Sequence, residues 1–327
     1  MSQYRHNLPQ LSTDLFLTDG GIETTLIFLE GLDLPEFAAF DLLKTQAGYQ
    51  ALEKYFRTYA RLACQYKTGL ILESATWRAN PDWGNKLQYS EKELAEANRK
   101  AIALLHDLRT EYETENSPMV ISGCIGPRGD GYIPANAMTA AIAADYHRPQ
   151  IEIFREANAD LVTAITLNYV EEAIGITQAA QALDLPVVIS FTVETDGNLP
   201  TGQPLKNAIA QVENTTNSAP VYYMINCAHP THFADTLVAG EPWLERIQGL
   251  RANASTKSHA ELDESETLDE GNPIELGNQY RDLKAKLPNL NVLGGCCGTD
   301  ERHIEAICKA CLPVFWAHLA SPTLKDF

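Results

Sequence analysis

Eight short apolar runs recur from one end of this chain to the other, each nearly continuous rather than alternating, with amphipathic stretches between them. They are Leu15–Thr18, Leu70–Glu73, Met119–Gly123, Leu161–Thr166, Val187–Thr192, Val221–Asn226, Ile247–Arg251 and Asn291–Gly294. A run without alternation is apolar on both faces, the pattern of a parallel strand covered on each side by helices. The stretches between supply those helices. Leu52, Tyr55, Phe56, Tyr59, Leu62, Ala63 and Tyr66 recur at helical spacing, as do Leu94, Ala97, Ala101, Leu104, Leu105 and Leu108. Repeated βα units with no break in composition predict one domain over residues 1–327, and eight of them predict an α/β fold of the closed (β/α)8 barrel type, a TIM barrel. An open doubly wound sheet is the rival. Its glycine-rich first turn would have to be Asp19-Gly20-Gly21-Ile22-Glu23, which lacks the GxGxxG spacing. One segment stands apart: residues 257–272, acidic and too long for a minimal loop after the seventh strand, read either as a lid or as a surface excursion.

Charge and cysteine usage narrow the class. A formal net charge of −18 excludes a nucleic-acid backbone or an anionic membrane surface as partner. No run approaches the roughly 20 apolar residues of a membrane span, and Met1 to Thr13 lacks the apolar core of a signal peptide. Seven cysteines, mostly inside strand- or helix-like segments, do not form a disulfide framework, which places the chain in a reducing cytoplasm. A homo-oligomer is compatible with all of this.

In a barrel the loops after the strands form the functional face. Strand by strand, those ends offer Asp19, Gly20, Gly21 and Glu23; Glu73, Thr76 and Trp77; the glycine-rich turn 123–130; Thr166, Asn168 and Tyr169; Thr192, Glu194 and Asp196; Asn226, Cys227 and His229; Arg251, Asn253 and Ser255; and Cys296 with Cys297. The thiols are the most specific of these. Cys296 and Cys297 sit in Gly294-Gly295-Cys296-Cys297-Gly298 and Cys227 ends another apolar run. Three thiolates brought to one point make a zinc site with one open position. A competing arrangement is a structural site of Cys296, Cys297, Cys308 and Cys311, leaving Cys227 idle. Cys308 and Cys311, three apart on a helix pattern, otherwise share one core face, and Cys64 and Cys124 read as small packed residues. His229 and His232 follow Cys227 in a loop, whereas His106, His147 and His303 lie in helix-like segments without special spacing.

Asp19-Gly20-Gly21, the Ser-Phe-Thr at Ser190 with Gly202-x-Pro204-Leu205 downstream, Ile225-Asn226-Cys227 and the Gly-Gly-Cys-Cys-Gly run together resemble the homocysteine S-methyltransferases, in order, from about residue 15 to 312. The resemblance implies a (β/α)8 barrel whose Cys227, Cys296 and Cys297 are catalytic and hold Zn2+. It implies methyl transfer to the thiolate of homocysteine, giving methionine, from a cationic donor: a sulfonium such as S-methylmethionine or S-adenosylmethionine, or a betaine-like compound. Both partners are then small molecules, a thiol acceptor and a methyl donor. A free thiol is mostly protonated at neutral pH and a metal deprotonates it. The donor's cation suits an acidic site with aromatic faces, for which Trp77, Tyr132 and Tyr169 are candidates.

Asp19, Gly20, Glu23, Glu73, Thr166 and Asn226 are the expected substrate contacts. The chain departs from the family pattern at two of its acidic positions. Ile165 stands where many members carry a glutamate that grips the amino group. Thr25 stands where a glutamate often follows Asp-Gly-Gly, while Glu23 appears earlier. Either Glu23 or Glu73 takes the ammonium, or the acceptor is another thiol or a selenol. A non-catalytic barrel with a structural zinc is the remaining alternative.

Overall fold

The apolar runs become eight strands because each is flanked by a helix long enough to cover it. In this computed structural model, which describes residues 2–320 apart from 135, 136 and 266, and only the backbone of 263 and 316–320, they are β1 Phe16–Leu17, β2 Gly69–Glu73, β3 Met119–Ile125, β4 Leu161–Leu167, β5 Val187–Phe191, β6 Tyr222–Asn226, β7 Ile247–Ala252 and β8 Val292–Gly295. All neighbours pair in parallel, and β1 pairs with both β2 and β8, so the sheet closes in sequence order. The open doubly wound alternative is thereby excluded. The chain is a single-domain (β/α)8 barrel.

The helices are α1 Gln46–Tyr66, α2 Pro81–Lys86, α3 Glu91–Tyr112, α4 Ala140–Glu156, α5 Val170–Ala182, α6 Leu205–Thr216, α7 Pro230–Phe233, α8 His259–Asp263, α9 Pro273–Leu283 and α10 Glu301–Ala320. Their limits follow from local chemistry. Thr45 caps α1 by accepting from Gly48 N, and Lys67 ends it in a left-handed conformation at φ 54°. Ser90 and Glu93 form a reciprocal capping box at the start of α3. The buried face of α1 is Leu52, Tyr55, Phe56, Tyr59, Leu62 and Ala63, close to the stripe the sequence predicts. Among the described residues, no helix is long and apolar enough to cross a membrane.

Inside the barrel the two ends differ. The end from which the strands start is filled by Phe16, Ile71, Val120, Leu161, Val188, Tyr222, Met224 and Val292, closed from below by Leu8 of the N-terminal segment. Toward the strands' C-terminal ends the inward positions turn polar: Thr18, Glu73, Thr163, Ser190, Asn226 and Arg251 are all buried. The change divides a packed base from a polar mouth. A register shift between Ala164 and Leu167 on β4, with Thr166 at φ 61°, marks a bulge at that mouth. Such bulges re-aim side chains.

Candidate metal centre at the barrel mouth

Close packing of β8 against its neighbours delivers the cysteines. A Cβ on Gly294 would overlap Thr18 Oγ1 and one on Gly295 would overlap Thr299 Oγ1, so neither position admits a side chain. The turn beyond is pinned by backbone hydrogen bonds. Cys296 N donates to Ala252 O (2.9 Å) and Ala254 N donates to Cys297 O (3.0 Å). Gly298, at φ 80°, donates its N–H to Thr24 Oγ1 at 3.0 Å. Thr24 opens a π-helix, Thr24–Leu29, shortly after Asp-Gly-Gly, which ties the first loop to the last.

Cys227, one residue past β6, holds a left-handed backbone at φ 54°. Its Sγ and those of Cys296 and Cys297 all lie within 4.8 Å of one another. Cys227 and Cys296 are joined as a disulfide with Cα atoms 5.4 Å apart, while Cys297 lies outside that bond and is exposed. Sulfur ligands about 2.3 Å from a tetrahedral ion are separated by about 3.8 Å, and three sulfurs within 4.8 Å of one another are near enough for one ion to gather once the disulfide is reduced. Three soft donors on rigid strand ends, one of them open to solvent, fit a soft metal. The competing four-cysteine arrangement fails. Cys308 and Cys311 are buried in the hydrophobic core, and burial pushes both thiols up to about 12. Cys124 is buried and its thiol is raised by desolvation; Cys64 is half-buried and donates to Tyr112 O at 3.2 Å.

Beneath the cysteines lies a buried ion cluster. The guanidinium of Arg251 pairs with Asp19 Oδ1 at 2.7 Å and with Glu73, and its Nε donates to Gly295 O at 3.0 Å. Tyr55 donates its hydroxyl to the other oxygen of Asp19 (2.8 Å) and stands 2.9 Å from the carbonyl of Gly20. Burial pushes both carboxyls above their ordinary range, and Arg251 opposes that push. Two of the three expected acidic contacts are thus already neutralised by the protein. The third, Glu23, makes no ion pair among the described residues and keeps partial exposure at the mouth. Burial, with a smaller contribution from Asp19, raises its carboxyl to about 7.

Asn226 organises the neighbouring loop. Its Oδ1 accepts from Ser190 Oγ (2.6 Å) and from Thr166 N (2.9 Å), and its Nδ2 donates to Thr166 Oγ1 (2.8 Å). This network sets the strained Thr166, whose hydroxyl stands 3.9 Å from Cys227 Sγ. Ile165, beside it, is an apolar side chain left partly exposed within a strand. Of the aromatic candidates, Trp77 is partly exposed and its buried Nε1 has no partner among the described residues. Tyr132 brings its hydroxyl to 3.7 Å from Cys297 Sγ. Tyr169 is buried and accepts from Met138 N at 3.2 Å, a packing position. His229 caps α7, and burial lowers its imidazole to about 4.

The acidic segment is fastened to the barrel. His259 at the start of α8 reaches Cys227 O, Asp269 accepts from Ser255 Oγ at 2.7 Å, and Glu270 O lies 2.7 Å from His303 Nε2. The sequence signals neither the role of His259 nor that of Tyr55, whose position reads as one more core aromatic on α1. For Arg251 a signal exists: a cation on an otherwise apolar inner strand must find buried carboxylates.

Known proteins are similar in the same way. The family described as homocysteine S-methyltransferase matches residues 16–311. Homocysteine S-methyltransferase 2 of Arabidopsis thaliana is 22% identical over 265 residues, covering 73% of this chain and 78% of its own. Betaine–homocysteine S-methyltransferase 1 of Rattus norvegicus is 22% identical over 262 residues, covering 74% of this chain and 61% of its own. Homocysteine methyltransferase MmuM of Escherichia coli shares the fold. Its oxidised form superposes with a TM-score of 0.72 at 19% identity, over 92% of this chain and 97% of MmuM. Its metallated form gives 0.70 at 18%, over 91% and 96%. With the family match running from β1 into α10, the chain belongs to the homocysteine S-methyltransferase family of enzymes.

Proposed function

We propose that this protein is a zinc-dependent S-methyltransferase that moves a methyl group from a cationic donor to the sulfur of homocysteine, giving methionine. The observation that carries the reading is the meeting of Cys227, Cys296 and Cys297 within 4.8 Å at the open end of the barrel. In the reduced protein these three would hold the ion, and zinc there would supply the acidity that keeps the acceptor sulfur a thiolate at neutral pH. The protein's own part is positional. The strand ends fix the three ligands, Thr166 and Asn226 shape the wall beside Cys227, and Arg251 and Tyr55, both bound to Asp19, also reach the Gly20 carbonyl. Glu23 is the carboxylate left to receive the ammonium of an amino-acid acceptor. In the transfer, the acceptor sulfur forms a bond to the methyl carbon as the bond to the donor's sulfonium sulfur or quaternary nitrogen breaks. The donor leaves neutral at that atom, and in-line placement supplies much of the rate.

A second reading, the same chemistry on another thiol or a selenol, is favoured by the partly exposed Ile165. X-ray absorption on the reduced, zinc-loaded protein separates the two. Three sulfurs around the metal, rising to four with homocysteine, establish the acceptor. Three sulfurs without response, but four with another thiol, select the second reading. Zinc-free protein after reduction and loading refutes both.

A further inference from the structure

Three loops meet over the cysteine cluster through side chains that the reading above leaves unused. His259 is 5% exposed and is held at both ring nitrogens. Its Nε2 lies 2.6 Å from the carbonyl oxygen of Cys227, and its Nδ1 lies 3.3 Å from Glu194 Oε1 on the loop after β5. A carbonyl only accepts, so Nε2 carries its proton. The same carbonyl accepts a second hydrogen bond from Asn253 Nδ2 at 3.0 Å. Cys227 sits at φ 54°, a conformation that persists in a residue with a side chain only where its surroundings over-determine it. Two donors on one carbonyl do so here. The face of the His259 ring stacks on Tyr132 from the loop after β3, with centroids 4.0 Å apart and planes 25° apart. Tyr132 in turn presents its hydroxyl to Cys297 Sγ at 3.7 Å. One histidine thus links the backbone of the first cysteine to the aromatic ring beside the third.

We propose that Tyr132 and His259 form a positioning pair for the metal centre: His259 holds the Cys227 backbone and the plane of Tyr132, and Tyr132 donates a hydrogen bond to the Cys297 sulfur. The proposal rests on the reading of the three cysteines as a metal site. A thiolate that accepts a hydrogen bond gives less charge to its metal, and partners of this outer kind change metal affinity or activity by about 10- to 100-fold. Neither residue is a ligand. Each acts through a cysteine.

The test uses the full chain, reduced and loaded with Co2+ as a coloured substitute. The readouts are the thiolate-to-cobalt charge-transfer band and metal affinity from chelator competition. Tyr132→Phe removes only the hydroxyl; it should move the band while the protein still binds one metal. His259→Ala should move the band too and weaken metal binding about 10-fold or more. His259→Gln, which keeps an N–H donor, should recover most of that loss; a purely steric role would not give this recovery. A wild-type band in both Tyr132→Phe and His259→Ala overturns the proposal while leaving the metal site standing. A shift in Tyr132→Phe alone overturns the part assigned to His259. Wild-type protein that takes up no cobalt sinks the metal site and the proposal with it.

Discussion

Replacing Arg251 with methionine tests the ion cluster beneath the cysteines. The substitution keeps most of the side-chain volume but leaves Asp19 and Glu73, 6% and 4% exposed, without their shared cation. Removing one partner of a buried ion pair costs about 3–5 kcal/mol. Unfolding entropy of about 2.1 cal/mol/K per residue, taken over 327 residues, is about 0.7 kcal/mol/K. Each kcal/mol then moves Tm by about 1.5 °C, and the expected loss is about 4–7 °C at pH 8. The pH dependence carries the sharper content. Burial already raises both carboxyls in the native protein, and without Arg251 the largest opposing influence is gone, leaving hydrogen bonds such as that of Tyr55 to Asp19. A carboxyl whose folded pKa lies above its unfolded value contributes stability that is present at low pH and lost as pH rises through the folded value. The variant loses more of it than the wild type, so the gap in Tm should shrink at pH 5. Adding Asp19→Asn and Glu73→Gln removes the stranded charges and should restore much of the stability at pH 8. Thermal melts followed by circular dichroism at both pH values decide the matter. A Tm difference near zero at pH 8, or one equal at pH 5 and pH 8, would refute a desolvated cluster.

Replacing Glu23 with glutamine should raise KM for homocysteine about 10-fold or more, the scale of one lost charged hydrogen bond, and leave 4-mercaptobutyrate, which lacks the amino group, within about twofold. Equal effects on both thiols would remove Glu23 from the ammonium site. Because burial lifts its carboxyl to about 7, the wild-type KM for homocysteine should fall as pH rises through that value and the ionised form appears; the glutamine variant should lack this step. Cys227→Ser should abolish stoichiometric zinc uptake, measured by elemental analysis, and lower Tm of the metal-free protein by less than about 2 °C, since one sulfur-to-oxygen change at a strand end removes little packing. Gly294→Ala forces a methyl group against Thr18 Oγ1 and within 2.9 Å of Asp19 O. It should cost about 3 kcal/mol or more, visible as poor soluble yield or a Tm well below wild type; a wild-type melt would mean that β1 and β8 are less closely apposed at this end.

Much of the fold was written in local pattern. Continuous apolar runs and helical stripes each depend on neighbours a few residues away, so all eight strands fall within two residues of their expected limits. The cysteine trio was legible for a related reason. Each thiol ends a strand, and parallel strand ends in a closed barrel share one face. What the pattern could not carry was partnership across the barrel. Asp19 and Glu73 look alike as candidate contacts until the structure spends both on Arg251, 232 and 178 residues away along the chain. His259 looks like one residue of an acidic surface stretch until it lands on the carbonyl of Cys227.

The sequence by itself determined the barrel, the end at which the three cysteines gather and the residues able to bind a soft metal, because periodicity and strand-end position are local properties. Only the tertiary structure decided which carboxylate stays available, which aromatic faces a thiol and what holds Cys227 in its strained backbone. A buried charge's availability is set by whatever opposite charge the fold brings within about 4 Å, and no spacing along the chain records that distance.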